Sequence, residues 1–290
     1  MIIRTAANEA EIEQSIELFW ADEPGHTPEY KASALDHWLF MYTDFPAGFW
    51  LAEDNDTQQI VGVATMVRRP PQAIVANFFV LAAYQGRGLG RRLLTQAIAT
   101  CTDCDRLAVH ASGNPSAQSL YMKFGMFPQP YSVALTGHPQ DHPAPSELMA
   151  ENRPIDEIVS FVDSLDLANL GFTRRVNHRR WARDGSYFIV PARDRAGDQP
   201  VGYFRVTAER RIGPLVVSDE RWMVAALDLA IQKQRELSPG EQNILVPGAN
   251  TNALACLMAR NFRIAYLELL LSSHPMPELS KVVFNDTDFF

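Results

Sequence analysis

Apolar residues in this chain occur as short continuous runs and as helix-spaced sets, a pattern that predicts a mixed α/β fold. The run over residues 73–81 has the length of a buried strand. The residues after it predict an amphipathic helix, with apolar side chains at Leu89, Leu93, Leu94, Ala97 and Ile98. The first twenty residues predict the same pair of elements, a strand at residues 2–4 and a helix with Ile12, Ile16, Phe19 and Trp20 on one face.

A glycine-rich loop, Gln85-Gly86-Arg87-Gly88-Leu89-Gly90, joins the strand and helix of residues 73–98. Three alternating glycines let the backbone turn tightly and bring its N–H groups close to a ligand. The following helix directs the positive end of its dipole at the same place. The segment therefore predicts a phosphate or pyrophosphate site.

Charge along the chain supports an anionic ligand at this loop. The formal net charge is -8, yet residues 57–102 contain no Asp or Glu. They carry five arginines, Arg68, Arg69, Arg87, Arg91 and Arg92. A nucleic-acid partner would show as a broad basic face, which this acidic chain lacks. A solvated helix face remains the alternative explanation for Arg91 and Arg92.

Comparison with known phosphate loops narrows the ligand. A P-loop needs Lys and Ser/Thr after its last glycine, where this chain has Arg91-Arg92, and a dinucleotide loop needs G-x-G-x-x-G with an acid about twenty residues later. Residues 85–90 instead fit Gln/Arg-x-x-Gly-x-Gly/Ala at every fixed position. That pattern resembles the GNAT superfamily of acyl-CoA-dependent N-acyltransferases.

A second block strengthens the resemblance. Residues 114–127 are similar to the family's N-x-x-A-x-x-L-Y-x-x-x-G-F motif, with Met126 in the place of the usual Phe and Phe127 following it. The resemblance covers residues 1–135 and implies a mixed central sheet flanked by helices. We therefore expect residues 1–135 to be a catalytic GNAT domain.

The rest of the chain predicts a second copy of this fold. At 290 residues the chain is long enough for two domains, and the proline-rich residues 136–152 suggest a linker. Shifting the sequence by 136 residues places Asn114 on Asn250 and Tyr121 on Leu257. The loop 85–90 falls on residues 221–226, which contain no glycine. The fold class is thus α/β (α+β), with two tandem GNAT-like domains, and residues 153–290 form a degenerate domain without a cofactor loop.

The resemblance implies an acyl-CoA-dependent N-acyltransferase, most simply with acetyl-CoA as co-substrate and no metal. The cofactor-binding residues expected from it are Phe79, Val80, Leu81, Gln85, Gly86, Arg87, Gly88, Leu89, Gly90, Arg91 and Asn114. The backbone of Phe79–Leu81 would pair with the pantetheine arm, and the loop amides would hold the pyrophosphate. Asn114 suits a helix N-cap before Pro115 equally well.

Tyr121 is the expected catalytic residue. In the family a Tyr at this place protonates the departing thiolate, which a phenol with a pKa of about 10 can do while uncharged at neutral pH. The alternative is a core tyrosine on an amphipathic helix. The general base is open, because residues 73–78 contain no carboxylate. Its candidates are Asp22, Glu23, Asp44, Glu53, His110 or a water relay, and the tail 286–290 can also offer a carboxylate.

The acceptor is expected to be a primary amine of a small molecule or peptide. Residues 20–50 are rich in aromatics with interleaved acids, which suits an amine with an apolar body, although the aromatics can equally be core. We expect neither nucleic acid nor a membrane as partner, and we leave a homodimer open. An acyl-CoA-binding sensor without catalysis, or transfer with another acyl donor or acceptor, remains an alternative.

Three cysteines and no signal-like or membrane-spanning segment predict a reducing cytoplasmic location. Cys101 and Cys104 have C-x-x-C spacing, but the chain has no second such pair, so we expect reduced thiols rather than a zinc site.

Overall fold

The computed structural model describes residues 1–22, 28–139, 147–191 and 200–288. The chain forms two compact units, residues 1–109 and residues 110–290. None of the described helices is long and apolar enough to cross a bilayer.

The first unit is a sheet covered by helices, as the hydrophobic pattern predicts. Its elements are β1 (Ile2–Thr5), α1 (Glu9–Asp22), α2 (Pro28–Asp44), β2 (Phe49–Glu53), β3 (Ile60–Arg69), β4 (Gln72–Val80), α3 (Leu89–Ala99) and β5 (Arg106–Ala111), whose last two residues belong to the second unit. The strands follow the order β1-β2-β3-β4-β5. Neighbours are antiparallel except β4 and β5, which run parallel. Helix α3 buries Leu89, Leu93, Leu94 and Ala97.

The second unit contains a larger mixed sheet. Its helices are α4 (Pro115–Lys123), α5 (Ile155–Leu170), α6 (Arg175–Trp181), α7 (Met223–Leu237) and α8 (Thr251–Ala259). Its strands are β6 (Phe127–Pro128), β7 (Ser132–Gly137), β8 (Glu151–Asn152), β9 (Gly185–Val190), β10 (Gly202–Thr207), β11 (Arg211–Val217), β12 (Gln242–Pro247), β13 (Phe262–Ser272) and β14 (Val282–Val283). The order is β13-β7-β12-β11-β10-β9-β8, with β6 on β13 and β14 on β11.

Strand β7 explains why the compact units divide at residue 109 and not at residue 135. It lies between β12 and β13, antiparallel to both, with Ser132 opposite Pro247 on one side and Glu268 on the other. Residues 136–137 therefore end a strand, and residues 151–152 form another, within the segment expected to be a linker. The functional division at 1–135, 136–152 and 153–290 stays a prediction.

Several elements recur at the offset seen in the sequence. Strand β5 starts at 106 and β12 at 242, while α4 covers 115–123 and α8 covers 251–259, so each bound moves by 136 residues. The caps correspond as well. The side chain of Asn114 accepts hydrogen bonds from the amides of Ser116 and Ala117, and that of Asn250 accepts one from Ala253. The two halves thus share a strand–helix unit.

A fully buried polar network holds α5, α6 and two strands of the second unit together. The carboxylate of Asp166 accepts hydrogen bonds from Arg174 Nε (2.8 Å) and Nη2 (2.7 Å), from Tyr203 Oη (2.5 Å) and from His178 Nε2 (2.7 Å). Tyr187 Oη donates to the other ring nitrogen of His178 (2.8 Å). Burial opposes ionisation of Asp166, but Arg174 and His178 outweigh it and lower its pKa. The network is satisfied within the protein and has a structural role.

Candidate functional site

The loop after β4 is held in place by its own first residues. The Leu81 amide donates to Val61 O (2.9 Å), and Leu81 O accepts from the Tyr84 amide (2.8 Å), closing a 3₁₀ turn over Ala82–Tyr84. Gln85 Nε2 donates back to Val80 O (2.7 Å). Both Gln85 and Leu81 thus position the loop within the fold.

Gly86 and Gly88 adopt left-handed backbone conformations, with φ of 74° and 76°. A Cβ atom at either position would meet nothing within 4 Å, so the need for glycine is conformational and not a lack of space. Gly88 is also the N-cap of α3. Gly86 and Gly88 are separated by Arg87, whose φ is not positive, and this alternation of backbone conformations is typical of an anion-binding nest.

Six consecutive amides, those of residues 86–91, have no hydrogen-bond acceptor within the described part of the chain. The first intrahelical bond of α3 runs from the Arg92 amide to Gly88 O (3.1 Å). The unpaired donors coincide with the positive end of the helix dipole, and residues 86–88 are exposed. This loop can therefore hold a phosphate or pyrophosphate.

Exposed arginines add positive charge. Arg87, Arg91 and Arg92 are exposed and form no ion pair with any residue that the structure describes. Arg91 and Arg92 line a surface groove of about 490 Å³ together with Ile3, Trp50, Thr95 and Gln96. Arg68, by contrast, is paired with Asp103 at 2.7 Å. The charge available to an anion therefore comes from the start of α3.

Strand β4 carries a β-bulge just before the loop. Thr65 of β3 faces two residues of β4, Ala76 and Asn77, because the register runs from Ala64↔Phe78 to Met66↔Val75. The Asn77 amide donates to Thr65 Oγ1 (2.7 Å). In this unit the pairing of β4 with β5 covers residues 72–75, whereas its pairing with β3 continues to Val80. In the described part of the first unit, β5 therefore does not pair with the last residues of β4.

Aromatic side chains surround Phe79 at the end of β4. Its ring centroid lies 5.7 Å from that of Phe19 on α1 and 6.3 Å from that of Trp38 on α2. Trp38 also contacts Phe49, and Trp38, Phe40 and Phe49 are buried. Much of the aromatic content of residues 20–50 is therefore core of the first unit.

Tyr121 and Asn114 lie on α4, in the second unit. Tyr121 is 5% exposed, and burial raises the pKa of its phenol, so the hydroxyl keeps its proton at neutral pH. Asn114 caps α4 through its side-chain oxygen, as the helix-cap interpretation predicts. Its side-chain nitrogen has no partner among the described residues and stays available. Met126, which replaces the family's Phe, is fully buried.

A protein-family model covers the glycine loop and both neighbouring helices. Residues 12–126, about two fifths of the chain, match the model of the acetyltransferase (GNAT) family. No curated protein sequence matches the chain.

Solved structures extend the likeness over both units. A proposed acetyltransferase from Pyrococcus horikoshii aligns with 100% of this chain and 95% of its own, at a TM-score of 0.76 and 20% identity. A GCN5-related N-acetyltransferase from Sphaerobacter thermophilus covers 97% of this chain and 98% of its own (TM-score 0.61, 18% identity). A tandem GNAT protein from the clavulanic acid biosynthesis pathway covers 94% and 99% (TM-score 0.58, 16% identity). The tandem GNAT fold is thereby confirmed.

The candidate general bases differ in their surroundings. Glu53 forms an ion pair with Arg4 (2.6 Å), which also binds Glu11. Asp44 is exposed at the end of α2, Asp22 is the last residue of α1, and Glu23 lies outside the described residues. None of these positions singles out a base.

His110 is bound on both ring nitrogens. Nδ1 lies 2.7 Å from Thr287 O, which can only accept, so Nδ1 carries the proton and Nε2 accepts from Ser132 Oγ (2.6 Å). Burial lowers the pKa of His110 to about 4. These contacts give His110 a structural role, since they tie the C-terminal segment down. The tail, which the sequence suggests as a further source of a carboxylate, is thus held at Thr287, and residues 289–290 lie outside the described part.

Glu268 on β13 is the residue that sequence reasoning missed. Its Oε2 atom is buried and has no hydrogen-bond partner in the described part of the chain. Burial and, next, the charge of Asp288 raise its pKa to about 7. The only signal in the sequence is a lone acid within the apolar run of residues 264–271.

All three cysteines are free, with Cys101 and Cys256 buried. No group of three His, Cys, Asp or Glu side chains suited to a metal ion occurs in the residues that the structure describes.

Proposed function

We propose that the protein is an acyl-CoA-dependent N-acyltransferase that transfers an acetyl group to a primary amine of a small molecule or peptide. The observation that carries this proposal is the loop of residues 86–91, with six unpaired amides at the positive end of α3 in a GNAT domain. The donor supplies a thioester on a pantetheine arm that ends in a pyrophosphate. A pyrophosphate is the kind of anion that the unpaired amides of residues 86–91 can bind.

Each binding residue has a role in this proposal. The amides of residues 86–90 hold the pyrophosphate, and Arg87 or Arg91 adds charge-assisted contacts. The backbone of Phe79 and Val80 pairs with the pantetheine amides along the edge of β4 that β5 does not cover. Leu81 and Gln85 fix the loop, Leu89 anchors α3 in the core, and the free amide nitrogen of Asn114 contacts the arm.

Tyr121 acts as the general acid. A buried phenol with a raised pKa is uncharged at neutral pH and still holds a proton for a departing thiolate. Its burial keeps competing water away from that hydroxyl.

The test combines binding and turnover. Acetyl-CoA is offered with a pooled panel of amines while free thiol is measured, and thermal shift and calorimetry measure CoA binding. We expect thiol release that depends on an amine, and one CoA site per chain. Binding without turnover on any amine would favour an acyl-CoA sensor, and turnover that requires a longer acyl donor would replace acetyl.

Location and partners are part of the proposal. Three free cysteines fit a reducing cytoplasm. The acidic net charge of -8 disfavours nucleic acid, and a homodimer remains open to a direct mass measurement.

A further inference from the structure

Glu268 occupies a position that packing alone does not explain. It lies on β13 directly opposite Ser132 of β7, and its buried Oε2 atom has no hydrogen-bond partner among the residues that the structure describes. An unpartnered buried oxygen costs free energy and is rare in native folds, so it calls for a functional explanation.

The surroundings of Glu268 connect it to the helix that carries Tyr121. His110 precedes α4 in the chain and Ser132 follows it, and their side chains are joined by a 2.6 Å hydrogen bond. Strand β6 comes directly after α4 and pairs with β13 at Leu271 and Ser272. Strand β13, which carries Glu268, therefore pairs with both strands that follow the Tyr121 helix.

The C-terminal segment contacts His110 and places a charge near Glu268. Thr287 O binds His110, and the Asp288 amide donates to Asp286 Oδ1 (3.1 Å). Asp288 of this segment is the charged group that acts on Glu268, and its charge disfavours a second negative charge there. A carboxyl in this environment exchanges its proton near neutral pH.

Glu268 as a whole is only partly buried. Its neighbours on the strand, Tyr266 and Leu267, are 54% and 53% exposed. A ligand can therefore approach along this part of β13, and the exposed tyrosine and leucine suit an amine with an apolar body.

We propose that Glu268 is the general base, which takes the proton that the acceptor ammonium must lose before acyl transfer. The proposal rests on the proposed function. An ammonium gives one proton to Glu268, and the neutral nitrogen forms a bond to the thioester carbonyl carbon. The C–S bond breaks with its electron pair on sulfur, and the thiolate takes a proton from Tyr121. The amide nitrogen gives up its second proton to solvent, from which Tyr121 is reprotonated, and Glu268 releases its own proton to solvent.

Replacing Glu268 tests this role. Glu268→Gln should lower kcat at least tenfold and abolish the rise of activity with pH that is centred near pH 7. CoA affinity should stay unchanged. Glu278→Gln is the matched control, since Glu278 pairs with Lys281 at the surface and should leave the whole profile intact. A Glu268→Gln enzyme with the wild-type kcat and pH profile overturns the proposal.

A second variant tests Glu268 by changing the charge beside it. Asp288→Asn removes the neighbouring charge, so the pKa of Glu268 should fall and the rise of activity should move to lower pH. An unmoved rise contradicts the proposal, and this result stands even if Glu268→Gln does not fold.

Thermal unfolding supplies a readout without activity. In the folded protein the ionised form of Glu268 is disfavoured, so wild-type stability decreases as pH rises from about 4.5 to about 7. Glu268→Gln should therefore raise the melting temperature more at pH 8 than at pH 5, and an equal change at both values argues against the proposal. Wild-type protein that turns over no amine overturns the proposed function and this inference together. An active wild type with an unaffected Gln variant overturns this inference alone.

Discussion

Residues 80–92 and residues 216–228 occupy corresponding positions in the two halves, and they end their strand–helix junctions differently. In the first, glycines leave six amides unpaired. In the second, Asp219 caps the junction and accepts a hydrogen bond from the Arg221 amide (3.0 Å). Helix α7 begins at Met223, which aligns with Arg87, whereas α3 begins two residues later at Leu89. The second junction is therefore already helical where the first still has its loop.

The same contrast holds at the next helix. The side-chain nitrogen of Asn114 has no partner among the described residues, whereas the side-chain nitrogen of Asn250 donates to Val282 O (2.9 Å). Tyr121 aligns with Leu257, which is fully buried. A polar group left unpaired in one half is satisfied internally in the other. Unpaired donors in the first half are what the proposed CoA site requires, whereas the second half uses its donors for internal hydrogen bonds.

The largest effect should come from the buried network of the second unit. Asp166→Ala leaves Arg174 as an uncompensated buried charge, which costs about 3–5 kcal/mol. Urea unfolding followed by tryptophan fluorescence should show an early transition. Asp156→Ala, which removes an exposed partner of Arg179, is the control and should change stability little. Equal stability of the two variants would show that this network does not hold the second unit together.

Exchanging residues between the junctions tests the comparison directly. Gly88→Val puts the aligned residue Val224 into a left-handed position, where strain of about 1–3 kcal/mol distorts the amide cradle. CoA affinity measured by calorimetry should fall about 10- to 100-fold. The reverse change, Val224→Gly, should cost the helix about 1 kcal/mol and leave CoA affinity unchanged. Wild-type affinity in Gly88→Val would remove the loop from the proposed site.

Tyr121→Phe separates chemistry from binding. The variant keeps the buried ring and loses the proton donor, so kcat should fall at least tenfold while CoA affinity stays within about twofold. Tyr131→Phe, at an exposed tyrosine of the same unit, is the control. Unchanged turnover in Tyr121→Phe would exclude its hydroxyl from the reaction.

The parts of this fold that depend on neighbouring residues could be predicted from sequence. The helix at Leu89 follows from periodicity, and the loop follows from glycines whose backbone angles no other residue adopts easily. The sequence predicts a linker at residues 136–152, yet residues 136–137 end β7, because pairing with β12 outweighs the local Thr-Gly-His-Pro signal. Local sequence does not contain that pairing.

The surroundings of the candidate bases depend on contacts between residues that are far apart in the sequence, so the sequence alone does not predict them. His110 meets Thr287 across 177 residues, and Arg4 binds Glu53 across 49. Such contacts decide which acids are engaged in ion pairs and which, like Glu268, are left unpartnered in a buried position. Residue types alone could name Glu53 and His110 as base candidates, but burial and partners distinguish them.

The smallest effect concerns the cap of the second junction. Asp219→Ala removes the side-chain acceptor for the Arg221 amide and should cost about 0.5–2 kcal/mol. It should not create a second CoA site, because Trp222, Met223 and Val224 keep the backbone helical where the first half has its loop. Calorimetry should still give one site per chain, with a melting temperature that is slightly lower with and without CoA. Two sites in either the wild type or this variant would mean that the second half has kept an anion site, and that glycine is not what separates the two junctions.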